Sequence, residues 1–180
     1  VSTLAYGQWE LKPTIGINIT DVSRNPDNGE VSGKVGWQFG ASALFGRKFY
    51  VEPGVLYVKK STEFTENTSD PDIFNTDFSG FRIPVAVGYH LLGSEETTAA
   101  LRVFGGASAF ILTSVDAPNL DRDDFESPTW GVFAGAGLDI WILFLDVQYE
   151  WSLTDVTSVT QFDLGKSRSF FLNAGIRLQF

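Results

Sequence analysis

A chain of 180 residues, 43 % of them apolar and with a formal net charge of −9, has the length for one domain, and residues 1–180 are read as one. It contains no Cys, which excludes disulfides and thiolate metal sites. No apolar run approaches the ~18–20 residues of a spanning helix; the best, Trp130 to Leu145, is interrupted by Asp139.

Period-two alternation of apolar and polar residues, the signature of a half-buried strand, runs through eight segments. The first, 9–19, sets Glu10, Lys12 and Gly16 opposite Trp9 and the isoleucines. The second, 32–45, has Gly36 and Gly40 opposite Trp37 and Phe45, and the third, 48–60, has Glu52 and Gly54 opposite Phe49 and Tyr57. The fourth, 78–91, carries Arg82, Gly88 and His90 on its polar face; the fifth, 98–113, carries Arg102 and Gly106. In the sixth, 128–140, the polar face is Gly131, Gly135, Gly137 and Asp139. The seventh, 143–154, is the clearest: Leu145, Val147, Tyr149, Trp151 and Leu153 alternate with Asp146, Gln148, Glu150 and Ser152. The eighth, 167–180, alternates Phe170, Leu172, Ala174, Ile176, Leu178 and Phe180 with Ser169, Asn173, Gly175, Arg177 and Gln179. The connections near 46–47, 92–97 and 141–142 are short, and those near 20–31, 61–77, 114–127 and 155–166 are long. Both termini therefore fall at the short-turn end.

Alternation fits two barrels of opposite polarity: a soluble lipocalin-like one with apolar residues inside, and a membrane one with them outside. Three features favour the second. Glycine concentrates on the polar face, where a narrow lumen needs small residues beside large ones. Charges there are nearly balanced, Glu10, Glu52, Asp139, Asp146 and Glu150 against Lys12, Arg82, Arg102 and Arg177, as a buried ion-pair network requires. Aromatics on the apolar face gather at both ends, Trp37, Tyr57, Phe81, Trp130, Trp151 and Phe170 at one and Trp9, Phe45, Phe49, Tyr89, Trp141 and Phe180 at the other, as interfacial girdles do. The expected fold is all-β: an eight-stranded antiparallel up-and-down transmembrane β-barrel of the bacterial outer membrane, with short periplasmic turns and four longer extracellular loops. The absence of Met, even at position 1, is expected of a processed or trimmed end and is compatible with a removed export signal.

The segments PTIGINITDV, FYVEPGVLYVKK, FSGFRIPVAVGYHL, FAGAGLDI and FFLNAGIRLQF resemble, in order along nearly the whole chain, the PorT-like outer-membrane barrels of Bacteroidetes. The resemblance implies an outer-membrane location and, for some members, a link to protein secretion. Phe180, with apolar residues at every second position before it, also resembles the signal read by the barrel-assembly machinery.

Signs of catalysis are few. His90 is the single histidine, at the short-turn end, and without Cys or a second His the usual nucleophile–base pairs are missing. Asp146 and Glu150 have bases at hand and read as ion-paired rather than as a glycosidase pair. No cofactor is expected. Asn119, Asp121, Asp123, Asp124 and Glu126 form a loop of oxygen ligands that is a weak Ca²⁺ candidate, without the spacing of an EF-hand. Net charges of −2, −5, −4 and −1 on residues 20–32, 61–77, 113–128 and 154–166 place the acid in the long loops, which would repel nucleic acid. Just below them Lys34, Lys59, Lys60, Lys166 and Arg168 form a rim suited to lipid phosphates such as those of lipopolysaccharide. The function expected is non-enzymatic: a structural or interaction protein, or a subunit of a larger envelope complex with other outer-membrane proteins, its lumen occluded by ion pairs. The alternatives are a small transporter or narrow pore and, further off, a lipid-modifying enzyme.

Overall fold

The computed structural model of the protein describes residues 9–22, 29–33, 35–66, 73–93, 98–116, 128–153 and 167–180. They form β1 (Trp9–Val22), β2 (Gly29–Gly33), β3 (Val35–Gly46), β4 (Phe49–Glu66), β5 (Ile73–Leu92), β6 (Ala99–Asp116), β7 (Thr129–Ile140), β8 (Leu143–Ser152), β9 (Ser167–Ile176) and β10 (Leu178–Gln179). Every pairing is antiparallel. β2 and β3 both pair with β4, and β9 and β10 both pair with β1, so the ten pieces make eight walls. β1 is bonded to β3 on one side and to β9 and β10 on the other, which closes the sheet and removes its edges.

Short connections join β3 to β4, β5 to β6 and β7 to β8. Gly46 and Gly93 supply positive φ at the first two. The third uses Trp141 at φ 56°, a conformation costing a residue with a Cβ about 1–2 kcal/mol. A 2.7 Å bond from the Trp141 N–H to the Thr98 carbonyl ties this turn to its neighbour. The start of β1 and Phe180 meet at the same rim, where Phe180 stacks on Trp9 at 4.5 Å and donates its N–H to the Trp9 carbonyl.

The strands run further than apolar alternation predicts at the long-loop end. Residues 61–66 and 73–77, expected in a loop, continue the β4–β5 ladder as far as Thr65 opposite Ile73. Residues 29–31, also expected in a loop, pair with β4, and β6 extends to Asp116. Backbone hydrogen bonds extend a ladder in water as well as in lipid, so alternation marks the depth of the apolar band rather than the end of the strand.

The polarity is that of a membrane barrel. Val147, Ile15 and Phe49 face outward at 38 %, 69 % and 73 % exposure, whereas Lys12, Arg82 and Arg102 are at 0–1 % inside. The outward aromatics interlock: Phe39 and Tyr57 at 5.6 Å, Tyr57 and Phe81 at 5.6 Å, Phe49 and Tyr89 at 4.7 Å. The lumen is less polar than expected. Leu44, Tyr50, Phe104, Phe110, Phe133, Phe144 and Phe171 are buried in it. Several of these rings lie over inward glycines. A Cβ on Gly135 would meet the Phe104 ring at 2.7 Å, and one on Gly175 would meet Phe144 at 2.8 Å. Glycine thus makes room for aromatics as well as for ions.

Candidate functional site

The inward charges form two groups stacked along the lumen. Toward the short turns a chain of contacts links β1, β4, β6, β7 and β8 with Arg177: Arg177 donates to Glu10 from Nε at 2.8 Å and from Nη2 at 2.6 Å. Arg177 Nη1 also lies 3.4 Å from Asp139. Arg102 is the hub, 2.8 Å from Asp139, 2.6 Å from Asp146 and 3.6 Å from Glu52, and it donates to the Tyr50 hydroxyl at 3.2 Å. Lys12 bridges Glu52 at 2.9 Å and Asp146 at 3.3 Å and lies 4.2 Å from the Phe144 ring centre. Ser42 adds a 2.6 Å bond to Glu52. Register explains the convergence: Asp146 lies directly across from Gly137, and Gly137 from Arg102. With no side chain between them the two ions meet, and a Cβ on Gly137 would reach within 2.8 Å of Arg102 Nη2.

Toward the long loops Arg82 donates to Glu150 Oε2 from Nε at 2.9 Å and Nη2 at 2.6 Å, and Ser108 donates to the same oxygen at 2.7 Å. The Arg82 guanidinium also packs on Phe171 at 4.6 Å and Phe133 at 5.0 Å. Gln38 donates to Asn173 over Gly16 of the intervening β1, which pairs with both residues. A cavity of about 30 Å³, lined by Thr14, Glu52, Arg82, Asp146 and Gln148 among others, lies between the groups, room for about one or two water molecules.

Glu10, Lys12, Glu52, Arg82, Arg102, Asp139, Asp146, Glu150 and Arg177 are therefore all brought inside. The rim residues are not brought together. Lys59 and Arg168 occupy outward positions. Lys60 turns inward, its ammonium 5.0 Å from the Phe110 ring and 5.8 Å from Phe171, and is corrected here from a lipid-facing to a lumen residue. Adjacent residues of a strand point to opposite faces, so two consecutive lysines cannot both face lipid. Lys34 and Lys166, and the loop acids Asp121, Asp123, Asp124 and Glu126, lie outside the described residues. His90 joins the short-turn group: its Nδ1 is 2.7 Å from the Arg47 carbonyl, and its Nε2 3.9 Å from Asp139. Sequence reading left His90, Tyr50 and Lys60 out of the network, although each shares parity with a charged residue two or more positions away on its strand.

A family model described as an outer membrane protein β-barrel domain matches residues 4–158. The chain belongs to this family. Its fold is that of solved outer-membrane barrels. The outer membrane protein OprG of Pseudomonas aeruginosa is 10 % identical, with 97 % of this chain and 96 % of that one covered at a TM-score of 0.59. Neisserial surface protein A, NspA, is 18 % identical, with 97 % and 99 % covered at 0.61. No curated protein matches the sequence. Fold, family and polarity together assign the protein to the bacterial outer membrane.

Proposed function

We propose that the barrel performs no chemistry of its own and serves as a surface-interaction module or as a subunit of a larger envelope complex, its lumen closed to diffusing solutes. The observation that carries this reading is the chain of ions from Glu10 through Arg177, Asp139 and Arg102 to Asp146, Lys12 and Glu52, every link within 3.4 Å. Opening a path through it would strand buried charges, at several kcal/mol each. Single-channel recording in a planar bilayer tests the closure: brief or no events are expected, and a stable large conductance would overturn it. The cavity between the two ion groups is the one feature favouring a narrow pore, and at about 30 Å³ it supports water rather than a solute path.

The finer assignment, to PorT-like barrels and through them to secretion or transport assemblies, rests on the resemblance of FYVEPGVLYVKK, FSGFRIPVAVGYHL and FFLNAGIRLQF. Outer-membrane proteins that co-purify from native membranes in mild detergent support it, and a barrel that elutes alone argues against it. The outward Lys59 and Arg168 are assigned to lipid phosphates, those of lipopolysaccharide first among them. Tightly bound lipid phosphorus should fall when both are replaced by Gln.

A further inference from the structure

We infer that the long-loop half of the lumen is a binding site for a small monoanionic solute, a carboxylate, with Lys60 as its counter-ion. Lys60 lies on β4 with its side chain inside the barrel. Among the described residues its hydrogen-bond partner is Ser169 Oγ at 3.4 Å, and the Phe110 and Phe171 rings flank it at 5.0 and 5.8 Å. Among the described residues no carboxylate lies within ion-pair distance of its ammonium.

Among the described residues the carboxylate of this half is Glu150, and it is committed elsewhere. Glu150 Oε2 already accepts two hydrogens from Arg82 and one from Ser108. Among the described residues two cations thus share one anion, an excess of a single positive charge in an aromatic setting. A charge left so is costly unless an anion or water compensates it. A second donor is available, because Thr20 and Ser169 share one hydrogen bond at 3.0 Å and one of their two hydroxyl hydrogens stays free. One spare charge, one ammonium and one hydroxyl fit the two oxygens of a carboxylate; a phosphate dianion would leave the group negative. The rings suit a short apolar tail on the ligand.

Amide chemical shifts of the refolded barrel in micelles, titrated with sodium butyrate at 0.15 M ionic strength, where the screening length is about 8 Å, test the assignment. Saturable shifts are expected at Lys60, Phe110, Ser169 and Phe171, while amides beside Arg177 and Glu10 stay still. Lys60→Met should weaken butyrate binding about tenfold or more, as loss of a charge-assisted bond does, and Lys60→Arg should retain it. Equal shifts with sodium chloride, tighter binding of inorganic phosphate, undiminished binding in Lys60→Met, or no saturation in the native chain and in Lys60→Arg would each overturn the site.

Discussion

Arg102 touches three carboxylates and a phenol, and its removal is the most damaging single change the lumen offers. Arg102→Met keeps the volume but leaves Asp139 and Asp146 without their closest cation. The expected loss is about 3–5 kcal/mol, read from urea unfolding in liposomes. Gly137→Ala should act on the same contact from the backbone side, because the added methyl occupies the space in which Arg102 meets Asp146. A loss of about 1–3 kcal/mol, the range of overpacked cores, should appear in the same assay. The ions of the lumen were legible in the sequence because charge is rare on an alternating strand and parity sets its direction. The inward aromatics were not. Phe104, Phe133, Phe144 and Phe171 share parity with Arg102, Asp139, Asp146 and Arg177, yet an apolar residue reads as lipid-facing unless the glycine it packs on is known to lie across the strand boundary. Lys60 was misread for a related reason: a basic pair at a strand end looks like a rim until the face of each residue is assigned.

At the scale of the strand, the face of each residue followed from alternation, while register and the strand ends did not. β4 continues to Glu66 and β5 begins at Ile73, stretches in which Ser, Thr, Asn and acidic residues outnumber Phe64, Ile73 and Phe74 and break the apolar alternation. Within the apolar band the prediction is sharp. Val147→Arg, at an outward position in the middle of β8, should destabilise the inserted barrel by about 2–4 kcal/mol, whereas Leu153→Arg, beyond the end of that strand, should cost less than about 1 kcal/mol. The last strand offers a test of a different kind. Phe180 stacks on Trp9 at 4.5 Å, worth about 0.5–1.5 kcal/mol, so Phe180→Ala should refold into detergent with only that modest loss. If Phe180 is also the assembly signal, the same variant should be depleted from outer membranes far more than its stability in detergent explains. Equal levels of variant and native protein in cells would leave the residue with its structural role alone.

For the whole molecule, closure of β1 against β9 and β10 unites the two scales. It makes the polar faces of all eight walls a single interior, and it makes their apolar faces one continuous outer surface. Both the plugged lumen and the carboxylate site beside Lys60 depend on that polarity. Because the chain has no native Cys, spin labels on single Cys variants report it directly. Labels at Leu145 and Val147 should collide freely with molecular oxygen dissolved in the bilayer and be shielded from a water-soluble nickel chelate, while a label at Gln148 should be protected from both. Labels at Leu145 and Val147 that were shielded from oxygen, or reached more readily by nickel than by oxygen, would contradict the outward apolar face on which the account rests.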